Sequence, residues 1–591
     1  MCGIFGYVGS GDAAPIIIDS LERLQYRGYD SCGYALLGSS GLSITKVAGG
    51  IGELRRVASV GSHANIGIGH TRWSTHGKPT VENAHPFLSC DGKIAAVHNG
   101  VIENHLELRK MLEDAGHRFT SETDSEVIPH IVEMEMEKGA TLEQAFAKLP
   151  TMLKGSYAIV LIREGFEGQV AVRKQSPLVI GVGDREYFTS SDIPTFLPYT
   201  SKVIYLEEND TVKVDSSGVT RLNEGRAPAG KQSLAPVLVD LHPDSIRKAG
   251  FDYFMIKEIL EQAEVLGAII GQDASKIDSL VRDITTSKRV FVVGTGTSYN
   301  SSLYADRLSL LLGLNHLRSV VSSELEQFEK LLDEESLVIL LSQSGETADT
   351  IMAARLAMER DAKLWAIVNS PLSTLGRMCE GVIPISCGPE LAVAATKSYT
   401  AQLAIVTKVI HGCANQAREG DRILLDARSA LYDLMSDASR AHVRRLAEEL
   451  HEVNDVFLLG RGLQNVTARE SALKLKEVGG MRAEAFYTGE MKHGPLALVR
   501  EGTRAMFFYS PLDKKYAETA ASELASRGAR IYSFGVEPLN TSMWHIQTDD
   551  IGYGLPMIQV VPVQILSYEV AKLRNLNPDQ PRNLAKSVTV G

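Results

Sequence analysis

The chain begins MCGIFGYVG, so removal of the initiator would leave a cysteine carrying both a thiol and a free α-amine. An α-amine has a pKa of about 7.7–8.0, close enough to neutrality to take the thiol proton and return it to a departing amine. Cys2 alone would then supply nucleophile and base, the arrangement of an N-terminal nucleophile. Three further stretches hold groups that such a thiol would need. HTRWSTHG (70–77) sets Arg72 among turn residues, where a guanidinium can clamp a carboxylate bidentately. VHNG (97–100) ends an apolar run on Asn99 and Gly100, an amide and an unobstructed backbone N–H that suit an oxyanion. SETDSEV (121–127) offers Asp124 at a helix start, where it could bind an α-ammonium or only cap the helix.

A second set of residues points to a phosphate. SQSGET (342–347) follows the apolar run LVILL and crowds Ser342, Gln343, Ser344 and Thr347 at the start of an expected helix. GTGTSYN repeats the logic after RVFVV, with Thr297 and Ser298. Hydroxyls beside the free N–H groups of a helix N-terminus form an anion site. A pair of such turns on adjacent parallel strands near a topological switch favours a phosphate over ordinary capping. SALKLKEVGG and GEMKHGPLAL add Lys474, Glu477 and His493; on a helix the first two share a face, which reads equally as a surface ion pair. Lys586, in the closing PRNLAKSVTVG, is either a reactive amine or a solvated tail residue.

The elements needed to position these groups change character along the chain. To about residue 224, short β-type runs (IFGYV, YALLG, IGIGHTRW, KIAAVHNG, YAIVLI) outnumber helical patterns, which predicts stacked, mostly antiparallel sheets with flanking helices. Residues 225–249 are Pro-containing and weakly periodic, a linker. Beyond it, strands such as RVFVVG, SLVILLSQ, DVFLLG and RIYSFG alternate with long helices, the βαβ rhythm of a parallel sheet. RVFVVGTGTSYNSSLYADRL (289–308) and DVFLLGRGLQNVTARESALKLKE (455–477) share strand, G-x-G turn and helix, so two tandem α/β lobes are expected, at 250–430 and 431–578, with a tail at 579–591.

Composition narrows the class. At 591 residues several domains are expected, and 61 Lys and Arg against 72 Asp and Glu, with no basic tract, argue against nucleic acid and for a small-molecule substrate. The most apolar late stretch, IGYGLPMIQVVPVQIL, carries two prolines and two glutamines, so no membrane span is expected. The start lacks a signal-peptide profile, and the six cysteines show neither a C-x-x-C pair nor zinc-type His/Cys spacing. The expectation is a reduced, cytoplasmic chain without a metal.

CGIFGYVG, YRGYDS (26–31), TRWSTHG, NAHPF (83–87), HNG and ETD, in that order, resemble the class II glutamine amidotransferases. The resemblance implies an αββα N-terminal-nucleophile domain in which Cys2 attacks the glutamine carboxamide and Asn99 and Gly100 hold the oxyanion. It also implies that Arg72, Thr75, His76 and Asp124 bind the glutamine. The later motifs GTGTSYNS, SQSGET, ATKSYT, ALKLKE, GEMKHGP and DQPRNLAKSVTV look like the sugar isomerase lobes of the glutamine:fructose-6-phosphate aminotransferase family. That implies phosphate binding by Thr297, Ser298, Ser342, Gln343, Ser344 and Thr347, and an imine on Lys586. It further implies ring opening helped by His493, and proton transfer by Glu477 with Lys474 nearby.

By the same resemblance Trp73 gates an ammonia path, the substrates are L-glutamine and fructose 6-phosphate, and the enzyme is a homodimer. The ketose carbonyl is its own electron sink, so no cofactor is implied. One departure stands out: the family usually reads VASTK where this chain has Val393, Ala394, Ala395, Thr396 and Lys397, so a serine expected at the sugar is Ala395. The motifs of related amidotransferases that act on phosphoribosyl pyrophosphate or make asparagine are not found.

Overall fold

All six residues of the strand Gly3–Val8 are buried, and their side chains alternate between two destinations. Ile4 and Val8 enter a core shared with Val97, Val160 and Val212, whereas Phe5 and Tyr7 meet Ile17 and Leu21 of the helix Ala13–Arg23. Sheet, second sheet and helices are therefore layered, and a one-residue register slip would exchange the two faces. The computed structural model describes residues 2–39, 41–58, 63–73, 77–222, 234–239 and 243–588. It divides into two compact units, Met1–Arg247 with Ala585–Gly591, and Lys248–Leu584.

In the first unit an eight-stranded sheet places Gly3–Val8 between Ile66–Arg72 and Tyr187–Ser190, antiparallel to both. A six-stranded sheet places Ile94–Ile102 between Phe87–Leu88 and Gly155–Arg163, again antiparallel. Ala95 and Val97 face the first sheet, while Ile94 and Ala96 pack under Leu108, Leu112, Ile128 and Ile131 of the helices His105–Asp114 and Val127–Glu137. This is the expected αββα order. Of the expected linker, residues 225–233 and 240–242 lie outside the described residues; Val237–Leu238 pairs with Lys202–Tyr205 at the sheet edge.

The second unit carries two parallel five-stranded sheets. In the first, Arg289–Gly294 lies between Leu317–Val321 and Ser336–Ser342, followed by Lys363–Val368 and Gly381–Pro384. In the second, Asp455–Gly460 lies between Arg482–Tyr487 and Arg504–Phe508, followed by Arg530–Gly535 and Ser542–Gln547. Both run in the order 2-1-3-4-5, so the repeat read in the sequence is a repeat of topology. It extends to the turns: Gly296 and Gly462, which open the helices Thr297–Leu311 and Leu463–Glu477, have φ of +58° and +55°. The helix Ala417–Leu434 runs across the expected 430/431 boundary.

Candidate active sites

The Sγ of Cys2 accepts a hydrogen bond from the backbone N–H of Trp73 at 3.3 Å, just past the end of the strand Ile66–Arg72. Cys2 is half-buried and Trp73 likewise. Burial pushes the thiol above its ordinary pKa; Arg72 draws it down and Asp124 raises it, so both charges bear on the sulfur. A thiol made less acidic by burial needs a local base, which an α-amine on the same residue would supply.

Asn99 reaches this cysteine from the other sheet. Its Nδ2 donates to the Cys2 carbonyl at 3.1 Å and to Ser191 Oγ at 2.8 Å. Its Oδ1 accepts from His70 Nε2 at 3.0 Å, and the same nitrogen lies 2.9 Å from the His98 carbonyl. Two oxygen partners require Nε2 to carry the proton, and burial depresses the His70 pKa to about 3, so the ring is neutral. Ser191 Oγ is in turn fixed by the Ile4 N–H at 2.8 Å. His70 and Ser191 were not singled out in the sequence; His70 is visible there only as the first residue of HTRWSTHG.

Gly100 has φ of +127°, and a Cβ would lie 2.0 Å from the Ser156 carbonyl oxygen, so the position admits glycine alone. The YRGYDS motif has a similar basis: a Cβ on Gly28 would stand 2.7 Å from the Arg72 carbonyl carbon. Arg72 is buried, which lowers its pKa, and its guanidinium donates to the carbonyls of Gly77 at 3.2 Å and Lys78 at 3.3 Å. Asp124, also buried, accepts the Ile102 N–H at 2.8 Å and the Ser125 hydroxyl at 3.3 Å. Thr75 and His76 lie outside the described residues.

The second unit gathers its groups where strand order reverses. Thr297 and Ser298 follow Arg289–Gly294, and Ser342 ends the neighbouring Ser336–Ser342, whose outgoing connections leave in opposite directions. Ser342 Oγ accepts the Gly345 N–H at 3.0 Å and lies 3.4 Å from Thr347 Oγ1; Ser344 Oγ accepts the Glu346 N–H at 3.1 Å. Gln343, half-buried, accepts the Asn369 N–H on its carbonyl at 3.2 Å. Ser298 Oγ accepts from Gln402 Nε2 at 3.0 Å, a bond that does not use the serine's own proton.

Lys474 is fully buried, so the surface ion pair allowed by its spacing from Glu477 is not what forms. Its Nζ stands 2.5 Å from Glu477 Oε2, 3.4 Å from Glu470 Oε1 and 3.2 Å from Thr297 Oγ1. Burial works against the lysine charge, but Glu477 and Glu470 outweigh it and hold its pKa above the ordinary value. Glu470 also accepts from Thr297 at 3.0 Å and Asn300 at 2.7 Å, which joins the two repeated helices. Its signal was present in ARESALKLKE, one turn before Lys474.

The glutamine amidotransferase domain family matches residues 70–198, and the SIS domain family matches residues 283–411 and 449–573. The chain is 39% identical over 611 residues to the glutamine--fructose-6-phosphate aminotransferase (isomerizing) of Thermus thermophilus, with 100% of both covered. It is 38% identical over 610 residues to that of Thermococcus kodakarensis, again with 100% of both covered. The chain belongs to the isomerizing glutamine--fructose-6-phosphate aminotransferases. In structure it is similar to the C-terminal domain of glucosamine-fructose-6-phosphate aminotransferase from Francisella tularensis, at 28% identity and a TM-score of 0.52, covering 56% of this chain and 100% of that one.

Two residues of this aminotransferase family's pattern stand apart from the Lys474 cluster in the chain. His493 is exposed, after the short turn Glu490–Lys492. Lys586 is half-buried in Ala585–Gly591, which groups with the first unit. Ala395, half-buried, sits before Thr396 and Ser398, whose N–H groups donate to Glu390 Oε1 at 2.9 and 3.0 Å. No helix among the described residues is long and apolar enough to cross a membrane.

Proposed function

We propose that the chain converts fructose 6-phosphate and glutamine to glucosamine 6-phosphate and glutamate, with hydrolysis and isomerisation in separate domains. The observation that supports it most is the presence on one chain of two different catalytic groupings: Cys2 tied to Asn99, and Glu477 tied to a buried Lys474. On this reading residues 1–224 are the glutaminase domain, 225–249 the linker, 250–430 and 431–578 the sugar isomerase lobes, and 579–591 a tail that serves the sugar site.

With Met1 removed, the Cys2 amine takes the thiol proton and the thiolate attacks the carboxamide carbon. Asn99 Nδ2 and the Gly100 N–H receive the developing oxyanion, at an amide whose orientation His70 fixes in advance. Arg72 and Asp124, with Thr75 and His76, hold the two ends of the amino acid. Collapse expels ammonia, which takes a proton from the Cys2 ammonium, and water then releases glutamate from the thioester. Ammonia set free in bulk water would be protonated and lost, so it travels past Trp73 by a sequestered path.

Thr297, Ser298, Ser342, Gln343, Ser344 and Thr347 bind the phosphate. Lys586 condenses with the ketose carbonyl, with loss of water, and ammonia displaces the lysine. Glu477 carries the proton between C1 and C2, with Lys474 Nζ held 2.5 Å from its carboxylate. His493 helps to open the ring and acts from the neighbouring subunit of a homodimer, which suits its exposure here. The reading goes with a cytoplasmic location.

Product analysis tests this proposal. Glutamine with fructose 6-phosphate should give glucosamine 6-phosphate, identified by mass, and glutamine alone only slow glutamate release. Glutamate without amino sugar would move the acceptor to another sugar phosphate, and Ala395 would be the first contact to restore as serine.

A further inference from the structure

On the helical side of the six-stranded sheet, away from Cys2, four side chains that the mechanism does not use converge on one point. They are Cys90, in the turn between Phe87–Leu88 and Ile94–Ile102; His117, after the helix His105–Asp114; and His130 and Glu133, one turn apart on Val127–Glu137. Cys90 Sγ lies 3.7 Å from His117 Nδ1 and 3.6 Å from His130 Nδ1. Glu133 Oε2 lies 3.0 Å from the first nitrogen and 3.4 Å from the second. No two of the four ligand atoms are more than 4.8 Å apart.

The four sulfur–nitrogen and nitrogen–oxygen separations, 3.0–3.7 Å, are close to those of a coordination shell. With zinc–sulfur bonds of about 2.3 Å and zinc–nitrogen or zinc–oxygen bonds of about 2.0–2.1 Å, tetrahedral angles put sulfur about 3.5 Å from nitrogen and nitrogen about 3.3 Å from oxygen. Hydrogen bonding explains the cluster less well: both imidazoles aim the same Nδ1 atom at the same sulfur and the same carboxylate oxygen. The surroundings also suit a metal. Cys90 Sγ accepts the Arg118 N–H at 3.3 Å and lies 3.9 Å from the Arg118 carbonyl oxygen. Glu133 is oriented by the N–H groups of Cys90 at 3.0 Å and Asp91 at 2.8 Å. Behind His130, Nε2 faces the Glu126 carboxylate at 3.9 Å, and that carboxylate accepts from Thr120 and Ser121. A carboxylate behind a ligating histidine is a common feature of zinc sites, and here it stands just beyond hydrogen-bond distance of the ring.

We propose that Cys90, His117, His130 and Glu133 bind one zinc ion. One thiolate, two imidazoles and one carboxylate make a tetrahedral set of the borderline-soft kind that zinc takes, and four protein ligands leave no open position, so the site is structural. His117, His130 and Glu133 are buried, whereas Cys90 is exposed and gives the ion its way in. The ion would join three segments that are distant in sequence. It would close a loop over residues 118–129, the stretch that carries Asp124. Its ligands come from separate turns and helices, which is why no compact Cys/His motif announces them.

The test uses the full-length chain without an affinity tag, purified without chelator, with metal measured by plasma mass spectrometry. One zinc per chain is expected. After exchange for cobalt, the protein should show tetrahedral ligand-field absorption with a thiolate-to-cobalt charge-transfer band. Cys90→Ser should lose that band and weaken retention at least tenfold, and His130→Asn should weaken retention as well. Wild-type protein that unfolds cooperatively yet takes up neither zinc nor cobalt would overturn the proposal. So would a cobalt spectrum that keeps its charge-transfer band in Cys90→Ser.

Discussion

His70 Nε2 stands 3.0 Å from Asn99 Oδ1, and this bond decides which end of the Asn99 amide faces Cys2. With the oxygen held by an imidazole N–H, the nitrogen is left to donate toward the cysteine and Ser191. Oxyanion stabilisation depends on such orientation being in place before the reaction, and removal of one donor costs about 10²–10³ in rate.

His70→Phe keeps a ring of similar shape but removes the donor, so the amide can rotate. Glutamine hydrolysis should fall about tenfold to a hundredfold in kcat, with a smaller change in KM, because an interaction made in the transition state has been weakened. An unchanged kcat in steady-state glutaminase assays would show that Ser191 orients the amide unaided.

The same histidine gives the fold an acid limit. Its pKa falls from about 6.5 in an unfolded chain to about 3 when buried, so the unfolded state binds the extra proton between those values. Stability is therefore full above pH 6.5 and declines as pH falls toward 3, at about 1.4 kcal/mol per pH unit for each such histidine. His85, whose ring stacks on His70 at 3.9 Å and whose pKa burial also lowers, adds to the slope. Urea unfolding from pH 7 to 4.5 should show it, and His70→Phe should make the decline shallower.

Lys474→Met would leave Glu470 buried without its cation, a loss of about 3–5 kcal/mol for a broken buried pair. Adding Glu470→Gln should recover a large part of that loss in thermal unfolding. Simple additivity of the two changes would mean that the pair is not energetically coupled.

Glu477→Gln keeps size and can still bond Lys474, but it cannot carry a proton between carbons. Amino-sugar formation should drop about 10²–10⁴-fold while glutaminase activity stays. Cys2→Ala should do the reverse, abolishing glutamine use while fructose 6-phosphate is still isomerised. Loss of both activities in either variant would argue against separate sites.

Much of this was legible in the sequence because strand period and turn chemistry are local. GIFGYV announces a two-faced strand, and the G-x-G turns at Gly296 and Gly462 declare the repeat through positions that need positive φ. Three things were not legible. Burial of Lys474 depends on the partner helix Thr297–Leu311, so spacing alone made it look like a surface pair. The orienting role of His70 depends on a strand from another sheet, which no local pattern reveals. The Cys90–His117–His130–Glu133 cluster is assembled by tertiary packing from three segments, so reading cysteine spacing could only find nothing.

The central claim is that ammonia made at Cys2 reaches the sugar without entering solvent. The most direct measurement supplies glutamine labelled with nitrogen-15 on the amide, fructose 6-phosphate, and a large excess of unlabelled ammonium, and reads the isotope in the product. Glucosamine 6-phosphate that keeps nearly all the label in wild-type protein, and loses it in Trp73→Ala, is the predicted result. Product diluted to the isotopic composition of the solvent ammonium in the wild-type enzyme would contradict it.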